Sequence, residues 1–314
     1  MNAQHPGPKP DERTEAPSQG ALPTPSGPLS GPSRRWRRRL SENLARINES
    51  VRETVLGRLL HSRLRRHRDL NEHDITLARL PAALDGLRIA FLSDLHAGHY
   101  MTEADLTTAA HRVMEQAPDL ICFGGDLVNI SWRELALMDE AFSILDAPHG
   151  LWAVPGNHDH HRRGEIHRWM EYLEARDVSV LFNRGVRIER DGASFWLAGI
   201  DDLTEGQSDL NAALAGARDD EARVLLSHHP DAFRWSSEAD VDLQLSGHTH
   251  GGQVSFFGWA PMSHSRHGWV HGLHRRGESQ LLVGRGLGTT LLPIRIGARA
   301  EILLVRLRSE SKSD

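Results

Sequence analysis

The chain has 314 residues, enough for one large or two small domains with a substantial core. Its single cysteine, Cys122, excludes a disulfide scaffold and a thiolate metal cluster, and a formal charge of -5 with neutral histidine implies no strongly acidic or basic partner for the chain as a whole. No run approaches the roughly 18 consecutive apolar residues of a spanning helix, whereas 20 histidines, most of them between His96 and His274, point to metal or acid–base chemistry.

Residues 1–32 hold eight of the 15 prolines among Gly and Ser with no apolar period, the composition of a disordered arm. They lack the apolar stretch of a secretory signal, and charged residues follow Arg34 and Arg35 where a twin-arginine signal needs an apolar run, so a cytoplasmic place is expected. Residues 33–69 carry twelve arginines against Glu42, Glu49, Glu53 and Asp69, with Leu40, Leu44, Ile47, Val51, Val55 and Leu59 on one helical stripe. Such a basic amphipathic helix can lie on the anionic inner face of a membrane, pack its stripe on the following domain, or bind nucleic acid; the first is favoured. One α/β domain is expected over 70–308, with a short tail at 309–314. Short apolar runs predict strands at 87–92, 119–123, 150–154, 223–226 and 242–245, with helices at 102–116, 131–145 and 165–176, a βαβ pattern. An antiparallel meander is predicted over 178–200, and further strands at 251–257, 280–283 and 300–307, giving two sheets with helices outside.

Polar residues gather where these strands end. Asp94 and His96 follow the first run in LSDLHAG, Asp126 the second in FGGDLVN, and Asn157, His158 and Asp159 the third in PGNHDHH. His228 follows the fourth in LLSHHP, and His248 and His250 the fifth in LSGHTHGG. Ligands bind at the carboxyl ends of strands in open α/β sheets, so five loops can share one crevice. The Asp94/His96 and His248/His250 pairs have i, i+2 spacing, which in an extended segment puts both side chains on one face. One such residue after a strand is ordinarily a turn or cap residue; seven of them at five strand ends point to a site. Carboxylates, imidazoles and an amide without thiolate suit Mn, Fe, Zn, Co or Ni, with Mn favoured, rather than Ca or Mg alone. Asp94, His96, Asp126, Asn157, His228, His248 and His250 are too many for one ion and fill two if a carboxylate bridges. Two divalent ions over two aspartates leave positive charge that attracts phosphate and suits two-metal phosphoryl chemistry. His228 is taken as the fourth-strand ligand, with His229 the alternative.

DLH, GGD, GNHD, SHHP and GHTH, in that order over roughly residues 87–251, resemble the motifs of the calcineurin-like metallophosphoesterases. The resemblance implies a four-layer αββα sandwich and a binuclear site in which Asp94, His96 and His250 hold one ion, Asp126 bridges, and Asn157, His228 and His248 hold the other. It also implies that His158 stands near the leaving-group oxygen as an acid, with Asp159 orienting it. The continuations GGQVSFFGWAP and VGRGLGTTLLPIRIGARAEILLVRL, with AGIDD at 198–202, resemble the bacterial branch related to YkuE and YaeI, which includes enzymes that hydrolyse UDP-2,3-diacylglucosamine in lipid A synthesis. Arg285, in a glycine-flanked loop, is either a phosphate contact or a turn arginine beside a strand end. The expectation is thus a phosphohydrolase of a phosphorylated small molecule or lipid-linked nucleotide, in which a basic helix opens the option of a peripheral place on the membrane. The alternative enzyme is a phosphodiesterase or nuclease whose arginine arm binds backbone phosphates, with an affinity that falls steeply with salt. A non-catalytic metal-binding scaffold is disfavoured because neither a ligand nor the histidine at 158 is missing.

Overall fold

The computed structural model describes residues 68–98, 101–160, 164–253, 265–290 and 295–310. The arm at 1–32, the basic segment up to residue 67 and the tail at 311–314 lie outside the described residues. The described strands are, in chain order, β1 (Arg68–Leu77), β2 (Arg88–Leu92), β3 (Leu120–Phe123), β4 (Leu151–Ala153), β5 (Val178–Val180), β6 (Arg184–Arg190), β7 (Ala193–Gly199), β8 (Arg223–Leu226), β9 (Leu243–Ser246), β10 (Gly272–Arg276), β11 (Ser279–Val283) and β12 (Ala300–Ser309). The α-helices are α1 (Glu103–Met114), α2 (Asp139–Ile144), α3 (Ile166–Glu174), α4 (Leu210–Leu214) and α5 (Phe233–Ser236). One six-stranded sheet has the order β1-β12-β2-β3-β4-β5 and the other β10-β11-β9-β8-β7-β6. Neighbours from β2 to β5 are parallel, as are β7, β8, β9 and β11 in the second sheet.

The period of two along each strand explains the layers. Ile89, Phe91, Leu120 and Cys122 of the first sheet share a core with Leu197, Val224, Leu226 and Leu245 of the second. The alternate residues Ala90, Leu92, Ile121 and Phe123 pack outward on Leu106 and Val113 of α1 and Trp169 and Leu173 of α3. On the other side Ala198 and Leu225 pack on Leu210 and Ala213 of α4. The result is the αββα sandwich expected from the sequence. Cys122 lies in the central layer, where burial pushes its thiol up and leaves it unreactive.

Several elements differ from expectation. β1 is an unpredicted edge strand, parallel to β12 from the Arg68↔Ala300 pair onward, and it takes Arg68 and Asp69 from the segment assigned to the basic helix. Its charged sequence RDLNEHDITL gives a weak apolar signal because an edge strand keeps one flank in water. The predicted helix at 131–145 divides into a 3-10 run at Trp132–Met138 and the short α2. The predicted meander at 178–200 is two structures: β5 pairs in parallel with β4 in the first sheet, and only β6 and β7 form an antiparallel hairpin. The strand predicted at 251–257 begins instead as a 3-10 turn, His250–Gly252, and 254–257 lie outside the described residues. Among the described residues no helix is long and apolar enough to cross a membrane.

One buried carboxylate ties the β6–β7 hairpin to the segment that enters β8. Glu221 accepts from Arg187 Nε at 2.7 Å, Arg187 Nη2 at 3.0 Å and Ser194 Oγ at 2.8 Å. Burial raises the Glu221 pKa, but these donors outweigh it and hold the carboxyl below its usual range. A carboxylate depressed in the folded state stabilises above its unfolded value and loses that contribution as pH falls through the folded one. Glu221→Gln is therefore expected to lower stability by about 1–3 kcal/mol near pH 7. In urea melts the difference from wild type should narrow below about pH 4.5, the ordinary glutamate value. A gap that widens on acidification would contradict this pairing.

Candidate metal centre

Five strand ends bring the candidate ligands together, through a backbone route the sequence does not show. Asp94, His96, Asp126, His248 and His250 all have left-handed backbone, with φ of 53°, 47°, 52°, 72° and 51°. The i, i+2 pairs are therefore not extended segments; each is a run of kinks that turns both side chains into the crevice. Non-glycine residues in this region cost about 1–3 kcal/mol each, and Asp and His are among those that tolerate it best. The kinks are held by neighbouring backbone: Asp94 N donates to Gly125 O at 2.9 Å and His96 N to Asp126 O at 3.0 Å. His248 N donates to Asp94 Oδ1 at 3.0 Å, so the first-sheet aspartate also fixes the second-sheet turn.

The side chains form three overlapping groups whose donor atoms lie within 4.8 Å of one another: Asp94, His96 and His250; His96, Asp126 and His158; and Asp126, His228 and His248. In the first, His250 Nε2 is 3.4 Å from Asp94 Oδ1 and 3.1 Å from His96 Nε2. In the last, His228 Nε2 is 3.2 Å from Asp126 Oδ2 and 3.2 Å from His248 Nδ1. Asp126 Oδ2 is also 3.7 Å from His96 Nε2, so this one oxygen reaches both halves of the cluster.

The donor chemistry fits divalent cations. His228 Nδ1 lies 2.8 Å from Gly124 O, and because a carbonyl only accepts, Nδ1 carries a proton and Nε2 is the nitrogen turned to the cluster, free to ligate a cation once its own proton is displaced. That pairing is the arrangement that orients a metal-ligating imidazole. Asn157 Oδ1 is buried without a hydrogen-bond partner, an acceptor whose desolvation a cation would offset. His229 is placed differently: its Nδ1 accepts from Asp231 N at 3.2 Å as a helix cap, and its ring stacks beside His248 with centroids 4.3 Å apart. Of the two adjacent histidines, His228 is thus the one in the cluster.

The electrostatics separate the halves. Burial would raise Asp126, but His228 and His158 outweigh it and hold the carboxyl well below its usual range. Burial disfavours charge on His228, yet Asp126 and Asp94 raise its imidazole well above the ordinary value. Burial lifts Asp94 to about 6. Burial and the neighbouring His96 and Arg295 hold His250 well below the ordinary histidine range, so it offers neutral imidazole near pH 7.

Two of the predicted residues have other partners in the structure. Asp159 accepts from Asp126 N and Gly156 N through Oδ2, both at 2.8 Å, and from Leu127 N and Val128 N through Oδ1 at 3.1 and 3.2 Å. It therefore locks the loop that carries Asp126, while the His158 ring is oriented by Asn129 O, 2.8 Å from Nδ1. Arg285 pairs with Glu301 Oε2 at 2.5 Å and with Asp69 at 3.6 Å, so two carboxylates occupy the guanidinium proposed for phosphate. It lies behind the turn at Gly251, where a Cβ would come 2.7 Å from Arg285 Cγ.

Sequence reasoning missed the supports. Glu134 Oε2 accepts from Asn129 N and Ile130 N at 2.8 Å, fixing the carbonyl that meets His158; the S-x-x-E signature from Ser131 to Glu134 could have revealed this cap. Arg295 donates to His250 O, Gly286 O and Gly288 O and reaches His250 Nδ1 at 3.2 Å, pairings with no local sequence signal. Gly156 is required by close approach, since a Cβ there would come 2.6 Å from Asp126 N and still closer to its carboxylate. Gly156→Ala is expected to destabilise by about 1–3 kcal/mol and to weaken metal retention. Chemical denaturation together with elemental analysis checks this, and wild-type stability and metal content would count against the close approach.

The sequence profile described as calcineurin-like phosphoesterase matches residues 87–252. The uncharacterised metallophosphoesterase YkuE of Bacillus subtilis (strain 168) is 34% identical over 246 residues, covering 77% of this chain and 86% of its own. Phosphodiesterase YaeI of Escherichia coli (strain K12) is 33% identical over 229 residues, covering 70% of this chain and 82% of its own. A transmembrane protein with metallophosphoesterase domain from Danio rerio is 29% identical over 280 residues; the match spans 82% of this chain but 63% of that protein. With the clustered Asp and His side chains indicating a divalent-metal site, the chain belongs to the calcineurin-like phosphoesterases and is a hydrolase of phosphoric esters.

Proposed function

We propose that the chain is a two-metal phosphohydrolase cleaving a phosphodiester or pyrophosphate bond. Asp94, His96 and His250 would hold one ion and Asn157, His228 and His248 the other, with Asp126 between them and manganese the favoured metal. The observation that carries this reading is the chain of three overlapping donor groups, the first two sharing His96 and the last two sharing Asp126. When bound, the ions supply activation of water near neutral pH and electrostatic stabilisation of the phosphoryl oxygens. The chain's own residues supply the proton chemistry. His158 N donates to Asp126 Oδ1 at 2.8 Å, which ties the acid to the shared carboxylate. Because Asn129 O only accepts, His158 Nδ1 keeps its proton and Nε2 is the atom that gains and loses one. In the imidazolium form Nε2–H protonates the departing oxygen, and the ring returns to neutral with Nδ1–H still on Asn129 O.

For the substrate we propose a lipid-linked nucleotide such as UDP-2,3-diacylglucosamine, which water would cleave to UMP and an acyl-sugar phosphate. The basic amphipathic sequence at 33–69 supports an amphiphilic substrate, since its leucine stripe and arginines suit an anionic membrane surface. The relative named a phosphodiesterase supports the bond class. The test is mass-resolved product analysis with Mn²⁺ and this lipid, using Asp126→Asn as blank. UMP release by the wild type alone is the expected result. Hydrolysis of a generic aryl phosphodiester without UMP release would reject the lipid and keep the phosphodiesterase chemistry.

A further inference from the structure

The loop that carries Asn157 and His158 is anchored on both sides. On the first-sheet side Asp159 takes four backbone N–H groups from 126–128 and 156. On the other side His160 Nε2 lies 2.6 Å from Asp201 Oδ1, with the side chains only 11% and 2% exposed. Asp201 follows β7, a strand of the second sheet whose end supplies none of the candidate ligands.

The loop after β7 is built around that carboxylate. Asp201 Oδ1 also accepts from Asp202 N at 2.7 Å and Oδ2 from Gln207 N at 2.6 Å, while Ser208 Oγ donates to Asp201 O at 2.8 Å. Asn183 Oδ1 accepts from both Asp201 N and Asp209 N at 2.9 Å, closing the base of the loop. A Cβ at Gly206 would collide with the Asp201 carboxylate, so the loop can wrap it only with glycine there. Two of the acceptor sites on this buried carboxylate are filled by its own loop, and the charge-assisted contact comes from His160 in the other sheet's loop.

We propose that His160 and Asp201 are positioning residues for the phosphoesterase site, a cross-sheet tie that holds Asn157 and His158 in register with the ligands of the second sheet. This rests on the proposed phosphohydrolase function; the tie acts through Asn157 and His158 and performs no chemistry itself. Misplacing a reacting group by about 1 Å costs rate far more than binding. Loss of the tie therefore lowers turnover rather than substrate affinity.

The test uses the full chain with Mn²⁺ and bis(p-nitrophenyl) phosphate, and compares wild type with His160→Ala, His160→Gln, Asp201→Asn and the His160→Ala/Asp201→Asn double variant. For His160→Ala the expected result is a kcat about 10- to 100-fold lower with KM within about twofold. The double variant should be no worse than the more damaged single one, because both break one contact. His160→Gln, whose amide can donate to Asp201, should recover most of the turnover. A second readout needs no substrate: amide hydrogen exchange at 156–160 and 201–208 should speed up together in His160→Ala and recover in His160→Gln. Exchange unchanged in both loops overturns the tie, as does a raised KM with unchanged kcat, which would make His160 a substrate contact. A wild type that hydrolyses no diester would reject the phosphodiester reading of the proposed function, and the exchange rates would then decide the tie on their own.

Discussion

Asp126→Asn is expected to remove most bound metal and to lower hydrolysis of an aryl phosphodiester by about 10³-fold or more. The Asp126 Oδ2 oxygen lies 3.2 Å from His228 Nε2 and 3.7 Å from His96 Nε2, and Oδ1 accepts from His158 N at 2.8 Å. An amide cannot satisfy both ends. Whichever way it turns, its NH2 faces either the His158 N–H or the imidazole cluster, and the negative charge is gone. Removing an outer support of a metal ligand already costs about 10- to 100-fold in metal affinity, so losing the charge shared by both halves costs more. Elemental analysis per chain and a rate on bis(p-nitrophenyl) phosphate measure both effects. Full metal and full rate in this variant would remove Asp126 from the centre of the site.

What the sequence discloses is where the polar residues leave the strands. Asp94, Asp126, Asn157, His228 and His248 each stand two to four residues beyond a buried strand, and short apolar runs locate those strands well. β1 is hidden because an edge strand with solvated charges lacks the apolar run that marks its neighbours. Side-chain partners across the fold are hidden for another reason. Asp159 follows His158 directly and the family resemblance implies that it orients the ring, yet its oxygens turn back to the loop after β3, more than thirty positions earlier in the chain. Arg285 in its glycine-flanked loop reads equally as a phosphate contact or a turn arginine, and its partner Glu301, on β12 of the other sheet, has no local signal. The left-handed kinks are legible only in retrospect: DLH and HTH contain residues that tolerate positive φ, but nothing local requires them to adopt it.

This division matters for which variants report on chemistry. The supports, Asp159 and Glu134, hold backbone, and their loss would disturb the metal cluster and the acid together. His158 is separable, because its ring is held from outside the cluster by Asn129 O while Nε2 is left for the proposed proton transfer.

His158→Ala is accordingly expected to keep its metal and to lower kcat by about 10²- to 10⁴-fold, the range for loss of a general acid. The ring stands edge-on to His96 with centroids 4.6 Å apart, so its removal opens space beside the cluster without taking away the shared Asp126 carboxylate. The backbone bond from His158 N to Asp126 Oδ1 survives the substitution, which is why metal retention is expected. The chemical signature is a dependence on the leaving group. An acid that protonates the departing oxygen matters least for an acidic phenol and most for a basic alcohol, so the deficit should grow across a series of phosphodiesters as the leaving group becomes more basic. His158→Gln should not rescue it, since an amide has no proton to give up near neutral pH. A deficit equal for all leaving groups, with metal retained, would assign His158 to transition-state binding rather than proton transfer. Unchanged turnover would remove it from the mechanism altogether.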